Sequence, residues 1–195
     1  MDNDWITIVS GLPRSGTSLM MQMLAAGGIP PLTDGIRAPD DDNPAGYFEL
    51  ERVKEMPADA AWLRAARGQA VKIVSLLLYD LPTDLPCRIV FMRRDLDEIL
   101  ASQKRMLAHR MVADPGPPDA VMRGHFENHL QKIRRWIEDR QIPCFECDYN
   151  HLLREPDPLL IRLAHFLGDR PAPEAMRAAI RADLYRQRAA DRMHP

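Results

Sequence analysis

The sequence predicts an α/β fold, a three-layer sandwich with a central, mainly parallel sheet flanked by helices. Two observations carry this prediction. Strand-like apolar runs alternate with helical patterns along the chain, and the first run leads through a glycine-rich turn directly into a helix. The length of 195 residues with 46% hydrophobic content fits a sizeable core, so we expect residues 1–195 to form a single domain.

The first strand is predicted at residues 5–10, a short run that is mostly apolar. The helix after the glycine turn ends at Gly27 and Gly28, and its apolar face carries Leu19, Met20, Met23 and Leu24. A polar stretch without periodicity follows over residues 32–56, with a helical start near Glu51. Its length and composition are typical of a functional loop.

The remaining elements continue the alternation. A helix begins near Asp95, and the acidic residues of its first turn suit the helix dipole. A long helix is predicted over 122–137, and another over 158–167 is followed by an arginine-rich helical tail. The three further predicted strands are 70–75, 88–92 and 144–147.

The strand, turn and helix near the N-terminus form a predicted phosphate cradle. Backbone N–H groups and the dipole at a helix start hold an anion, and glycine lets the backbone approach it closely. Gly11 and Gly16 have the spacing of the nucleotide-binding loop G-x-x-x-x-G-K-[ST], so we expect a P-loop-type sandwich. Thr17 stands where that loop has its lysine, and the basic residue lies upstream at Arg14. An ordinary ATPase or GTPase is therefore a poor match.

A second phosphate site is predicted after the 88–92 strand. Arg94 closes that strand, and Ser102 lies about two turns into the next helix. Helical side chains tilt toward the N-terminus, so this hydroxyl can lean back toward the arginine. In an open parallel sheet ligands bind beyond the carboxyl ends of the strands, where both predicted sites lie.

These two sites together resemble the sulfotransferase superfamily that uses 3'-phosphoadenosine 5'-phosphosulfate (PAPS). In that family Pro-(Lys/Arg)-Ser-Gly-Thr-(Thr/Ser) holds the 5'-phosphosulfate, and Arg-x7-Ser holds the 3'-phosphate. The segment from Asp148 to Gly168 also resembles the family's Tyr-Glu-Asp-Leu...Pro...Phe-Leu-Gly segment, so the resemblance covers most of the chain. It implies PAPS as donor, adenosine 3',5'-bisphosphate as product, no metal, and as nucleotide-binding residues Arg14, Ser15, Gly16, Thr17, Ser18, Arg94 and Ser102.

The resemblance also bears on catalysis. It implies that Arg14 supplies charge at the phosphosulfate and that Lys72 acts on the leaving group. Val74 occupies the position of the histidine base of the steroid and phenol branch. Other branches use a glutamate on the loop after the first helix, and the segment from residue 43 to Glu49 resembles a motif of bacterial members there. Glu49, with a raised pKa, is the leading candidate base, and the substitutes are Glu51, Asp34 and Asp42.

Other chemistry-bearing residues receive structural interpretations. Cys87, Cys144 and Cys147 are interpreted as buried, reduced thiols, and the pair Cys144 and Cys147 lies on a predicted short strand. The histidines have no metal-ligand spacing, and the acidic run 40–42 is interpreted as a solvated loop instead of a cation site. We interpret four histidines as surface residues of helices or loops, and the tail arginines as one face of a surface helix. The histidines are His109, His125, His129 and His151, and the arginines are Arg177, Arg181, Arg186 and Arg188.

Net charge and hydropathy limit the classes of partner that this chain is expected to have. A net charge of -2 gives no electrostatic reason to expect nucleic acid or an anionic membrane surface. The N-terminus carries Asp2 and Asp4 and lacks the pattern of a signal peptide, and no apolar run approaches ~20 residues. We expect a soluble, cytoplasmic protein whose partner is a small-molecule, carbohydrate or peptide acceptor. The oligomeric state stays open.

Two other functions stay open at this point. A small nucleotide or metabolite kinase shares the strand and the two loop glycines, and it predicts Mg²⁺-dependent ATP binding. A non-catalytic nucleotide-binding protein of the same fold predicts binding without transfer. The acceptor itself is not encoded in a readable motif, because loops shape acceptor pockets.

Overall fold

The computed structural model describes residues 4–38, 40, 46–109 and 116–180. Within these residues, four strands form one sheet in the order β2-β1-β3-β4, and every neighbouring pair is parallel. The strands are β1 (Ile6–Gly11), β2 (Ala70–Lys72), β3 (Cys87–Arg93) and β4 (Cys144–Asp148). The predicted parallel sheet is therefore confirmed.

The helices connect these strands in the predicted order. They are α1 (Thr17–Ala26), α2 (Leu96–His109), α3 (Asp119–Asp139), α4 (Tyr149–Arg154), α5 (Pro156–Phe166) and α6 (Pro173–Ala178). Short 3-10 helices span Glu51–Glu55, Ala61–Ala66 and Ser75–Asp80. Pro156 and Pro173 each lie in the first turn of their helix, where the missing N–H group has no intrahelical acceptor.

Two apolar clusters cover the opposite faces of the sheet. Alternate residues of a strand point to opposite faces, so Val90 packs with α1 and α5 while Ile89 packs with α3. The first cluster includes Val9, Met20, Met23, Leu160 and Leu163, and the second includes Ile8, Val71, Phe91, Ile133 and Ile137. Helices therefore flank the sheet on both sides, which confirms the three-layer, P-loop-type sandwich.

The strand order creates a crevice at the carboxyl ends of β1 and β3. After β1 the chain moves to β2 on one side of the sheet, and β3 then pairs with β1 on its other side. The connections after β1 and β3 thus diverge, and such a switch point is where open α/β sheets bind ligands. The predicted phosphate loop follows β1 and Arg94 follows β3.

Two details differ from the sequence prediction. The second strand ends at Lys72 instead of residue 75, because the chain turns into a 3-10 helix at Ser75. The third long helix begins at Asp119, directly after Pro118. In the described ranges, no helix combines the length and hydrophobicity that a bilayer-spanning segment needs.

Candidate active site

The phosphate loop lies between β1 and α1. Its backbone is left-handed at Arg14 (φ 73°) and Gly16 (φ 100°). The amide of Ser15 donates to the carbonyl of Leu12 at 3.1 Å, which tightens the turn. Gly16 precedes α1 and has no side chain to cap it, so the first-turn N–H groups of α1 can bind an anion.

Glycine is required at position 16 for a second reason. A Cβ atom there would overlap the ring of Tyr149, which is buried and follows β4. The same ring lies 4.6 Å below the guanidinium of Arg94. Tyr149 therefore supports both predicted phosphate sites from one side, and the sequence analysis had not assigned it an individual role.

Three predicted residues meet in front of this loop. Arg14 Nε donates to Ser102 Oγ at 2.9 Å, and Arg94 Nη1 donates to the carbonyl of Arg14 at 3.1 Å. Ser102 thus reaches the phosphate loop itself, whereas the spacing had predicted that it leans toward Arg94. The two predicted phosphate sites are joined into one cationic cluster, which we call the phosphate half: Arg14, Ser15, Gly16, Thr17, Ser18, Arg94 and Ser102.

The side chain of Lys72 lies next to this cluster, at the carboxyl end of β2. It is 8% exposed, and its Nζ donates to the carbonyl of Tyr47 and lies 3.3 Å from Glu49 Oε1 and 3.4 Å from Ser18 Oγ. Burial lowers the pKa of Lys72, and the attraction of Glu49 opposes this shift only in part. Lys72 links the loop that carries Glu49 to the start of α1.

Glu49 is held by an ion pair that the sequence analysis missed. Arg37 Nη1 donates to both carboxylate oxygens, at 2.8 and 3.0 Å. Burial raises the pKa of Glu49, but the hydrogen bond from Arg37 and the charge of Lys72 outweigh it, so the pKa lies below its usual value. The expectation of a raised pKa was therefore wrong, because two cations face this carboxylate.

Tyr47 completes this group. The Arg37 guanidinium stacks over the Tyr47 ring at 3.3 Å, and Tyr47 Oη donates to Asp40 Oδ1 at 2.6 Å. We call Lys72, Glu49, Arg37 and Tyr47 the transfer half of the site. No sequence signal singled out Arg37, since it lies in a polar stretch without periodicity and reaches Glu49 only through the return of the loop.

The substitute carboxylates have other partners. Asp34 Oδ2 accepts from the amide of Glu51 at 2.6 Å and Oδ1 accepts from the amide of Ile36 at 3.0 Å, which keeps the pKa of Asp34 low. Glu51 pairs with Lys54 at 2.6 Å. Asp42 and residues 43–45 of the predicted loop motif lie outside the described residues. Of the described candidates, Glu49 alone pairs with Lys72 in the contacts above.

The cysteines and His129 received structural interpretations from the sequence. Cys147 packs in the first apolar cluster and Cys144 against the second, on opposite faces of β4, and burial raises the pKa of both thiols to about 12. All three cysteines are free; Cys87 and Cys147 are buried as predicted, whereas Cys144 is only partly buried. His129 is a partly exposed residue of α3: its Nε2 lies 2.9 Å from Ser75 Oγ, and partial burial lowers its pKa.

Two further observations concern possible ligands. Among the described residues, no group of three His, Cys, Asp or Glu side chains has a metal-binding arrangement. Arg177 in α6 pairs with Asp157, and the other tail arginines lie outside the described residues. A cavity of about 620 Å³ between β3, β4, α2 and α3 borders Ser15 and Arg94 but has neither Lys72 nor Glu49 among its described lining residues.

The likeness of this chain to known proteins lies in its fold. The sequence matches no family model and no curated protein. Its fold resembles the sulfotransferase domain from the Synechococcus PCC 7002 olefin synthase, with a TM-score of 0.55, 17% identity, and coverage of 100% of this chain and 84% of that domain. It also resembles the sulfotransferase domain from the curacin biosynthetic pathway, with a TM-score of 0.55, 14% identity, and coverage of 94% of this chain and 80% of that domain.

A third solved structure, retinol dehydratase in complex with androsterone and inactive cofactor PAP, has a TM-score of 0.49 and 16% identity, covering 91% of this chain and 63% of that one. The fold assignment rests on the first two structures. At identities of 14–17% they establish architecture and leave activity to the site residues. The chain has the fold of sulfotransferase domains.

Proposed function

We propose that this chain is a sulfotransferase that moves the sulfuryl group of PAPS to a hydroxyl or amine of an acceptor. The observation that carries the proposal is the joining of Arg14, Ser102 and Arg94 at the ends of two adjacent strands. These residues have the order and spacing of two phosphate motifs that are far apart in the sequence. Lys72 and Glu49, the proposed transfer residues, are linked to the same loop through Ser18.

The described residues fit an anionic nucleotide. Ser15 Oγ is buried and has no hydrogen-bond partner among the described residues, and Arg94 is only 8% exposed. A buried hydroxyl such as that of Ser15 is costly without a hydrogen-bond partner, and a bound ligand would supply one. Ser15 to Ser18 would hold the 5'-phosphosulfate, and Arg94 with Ser102 would hold the 3'-phosphate. A sulfuryl group carries less charge than a phosphoryl group, so arginine and backbone donors can stabilise it without Mg²⁺.

The transfer step follows from the same residues. The donor supplies an activated sulfur: the acceptor oxygen or nitrogen forms a bond to it as the bond to the bridging phosphate oxygen breaks, in line. Glu49 takes the acceptor proton, and its lowered pKa keeps it ionised, the form that accepts a proton, at neutral pH. Lys72 and Arg14 stabilise the negative charge that develops on the leaving oxygen.

Calorimetry with adenosine 3',5'-bisphosphate tests the nucleotide assignment. We expect binding without Mg²⁺. In Arg94→Ala the dissociation constant should be about tenfold to hundredfold larger, as for a lost charge-assisted contact. Arg93→Ala is the matched control, because that neighbouring side chain is exposed and pairs with Glu146 at 3.0 Å. No binding at millimolar bisphosphate, or Mg²⁺-dependent binding of ATP instead, would overturn the proposal and favour the kinase.

Transfer is tested with radiolabelled PAPS and a panel of phenols, alcohols, amines, sugars and tyrosyl peptides. Once an acceptor is labelled, Glu49→Gln should lower turnover about 10²- to 10⁴-fold, as for loss of a general base. Glu51→Gln is the control, since Glu51 pairs with Lys54 on the exposed side of the 3-10 helix Glu51–Glu55. Full turnover in Glu49→Gln assigns the base elsewhere, and bisphosphate binding with no labelled acceptor favours the non-catalytic function.

A further inference from the structure

Glu98 is a buried carboxylate beside the phosphate half. It lies in the first turn of α2, its side chain is 1% exposed, and its Oε2 lies 2.9 Å from Arg94 Nε. Its other oxygen accepts from Asn150 Nδ2 at 3.0 Å. A buried carboxylate is retained only where it is paired and hydrogen-bonded, and both conditions hold here.

Asn150 connects this pair to a second element. It lies in α4, directly after β4, and its Oδ1 accepts from the amide of Asp95 at 3.3 Å. Asn150 therefore bridges the start of α4 to the start of α2. Because Tyr149 lies 4.6 Å below the guanidinium of Arg94, that group is held both at its edge and on its face.

Electrostatics alone would not place Glu98 here. A carboxylate in contact with Arg94 reduces the positive potential that attracts a phosphate, so its charge opposes anion binding. Its benefit is geometric. An arginine side chain loses considerable rotamer freedom when it binds a ligand, and a guanidinium that is already oriented loses less.

We propose that Glu98 and Asn150 are positioning residues that make the site selective for nucleotides with a 3'-phosphate. They hold Arg94 oriented, so that a nucleotide carrying this group binds more tightly than the same nucleotide without it. The inference rests on the proposed function, in which Arg94 contacts the 3'-phosphate. Glu98 bonds to Arg94 and Asn150 bonds to Glu98, and neither of these two bonds goes to the 5'-phosphate residues Ser15 to Ser18.

The test compares two nucleotides that differ only in the 3'-phosphate. Dissociation constants for adenosine 3',5'-bisphosphate and for AMP are measured by calorimetry, the latter by displacement, in the wild type, Glu98→Ala, Glu98→Gln and Asn150→Ala. The selectivity is the dissociation constant for AMP divided by that for the bisphosphate. We expect this ratio to fall about tenfold in Glu98→Ala and about threefold in Asn150→Ala, with AMP affinity unchanged. Glu98→Gln should lower the ratio about threefold, as Asn150→Ala does, because its amide oxygen can accept from Arg94 Nε while its NH2 group cannot accept from Asn150 Nδ2.

The control is Glu127→Ala, which removes another i, i+4 pair, to Arg123 at 4.0 Å on the exposed surface of α3. If Glu98→Ala does not fold, Asn150→Ala carries the test, since it leaves Arg94 paired with Glu98. An unchanged ratio in the folded variants, or equal losses for both nucleotides, would overturn the positioning role alone. A ratio that rises in Glu98→Gln would also overturn it, because the negative charge of Glu98 would then weaken binding of the 3'-phosphate more than its contact with Arg94 favours it. Absence of bisphosphate binding in the wild type would instead reject the proposed function.

Discussion

The phosphate half and the transfer half of the site are stabilised differently. In the phosphate half, Arg94 extends from the end of a central strand, is 8% exposed, and meets Arg14 on the adjacent loop. In the transfer half, Lys72 ends an edge strand, whereas Glu49 and Arg37 come from one loop and are each 29% exposed. The side chains of the phosphate half are positioned by regular elements, and those of the transfer half are positioned mainly by the ion pairs of Glu49 with Arg37 and Lys72.

This difference has a chemical consequence. Backbone geometry and steric contact fix Gly16 and its neighbours, so the proposed phosphate site has its geometry before a ligand arrives. The pKa of Glu49 is instead raised by burial and lowered more strongly by Arg37 and Lys72, and the pKa of Lys72 is lowered by burial and raised by Glu49. A change to one residue of the transfer half should therefore alter the protonation of the others.

Gly16→Ala should have the largest effect on stability. Both its left-handed φ of 100° and the overlap of a Cβ with the Tyr149 ring oppose alanine, which together cost about 2–5 kcal/mol. Gly28→Ala is the control, because Gly28 has the same φ of 100° and no atom within 4 Å of its would-be Cβ. Thermal unfolding of both variants measures the difference.

Equal losses of stability in these two variants would mean that the Tyr149 contact is unimportant and that the phosphate half is less tightly fixed than we argue. A larger loss in Gly16→Ala, with weaker bisphosphate binding in the fraction that folds at low temperature, would sharpen the comparison. Gly28→Ala should bind the bisphosphate as the wild type does.

The sequence allowed the phosphate half to be predicted because its residues follow regular elements. The Gly11 to Gly16 spacing, and the eight residues from Arg94 to Ser102, have a fixed meaning once a strand and a helix are recognised. The alternation of strands and helices predicted the layers for the same reason. What the spacing could not predict was the partner of Ser102, since Arg14 reaches it from another element.

The transfer half could not be predicted to the same extent. Glu49 and Lys72 were expected from a resemblance, but Arg37 has no periodicity or motif around it and meets Glu49 only because the loop folds back. Glu98 suited the dipole of α2 in the sequence, yet its burial against Arg94 and Asn150 depends on how α2 and α4 approach each other. Such contacts between elements are set by tertiary packing.

Arg37→Gln should make the coupling in the transfer half visible. The folded-state pKa of Glu49 lies below its usual value of 4.5, so this carboxylate contributes stability that is present above pH 4.5 and is lost as the pH falls through the folded pKa. Removing Arg37 removes the hydrogen bond that lowers this pKa. The melting temperature of the variant should therefore fall below that of the wild type at pH 7, and the gap should close at lower pH.

Arg52→Gln is the control, since Arg52 contacts Asp59 at 3.5 Å between two exposed side chains. Exposed pairs contribute about 0–1 kcal/mol, so its melting temperature should stay near the wild type at both pH values. A gap for Arg37→Gln that is the same at pH 7 and pH 3 would contradict the coupling. Carbon-13 NMR of the Glu49 carboxyl carbon measures its pKa directly, and we expect this pKa to be higher in Arg37→Gln than in the wild type.

Ser102→Ala should have the smallest effect, and it tests how far the phosphate half depends on its hydroxyl group. The variant removes the acceptor for Arg14 Nε while both arginines remain, so bisphosphate affinity should fall about threefold to tenfold, as for one lost hydrogen bond to a charged group. Ser75→Ala is the control, because Ser75 is also buried and its hydroxyl also lies 2.9 Å from a side-chain nitrogen, that of His129, whose pKa is lowered by burial. Both variants lose one buried hydrogen bond, but only Ser102→Ala should weaken the bisphosphate in calorimetry. An equal loss of affinity in Ser75→Ala would mean that nucleotide binding follows global stability, and the phosphate half would then not be the independently fixed region that its geometry indicates.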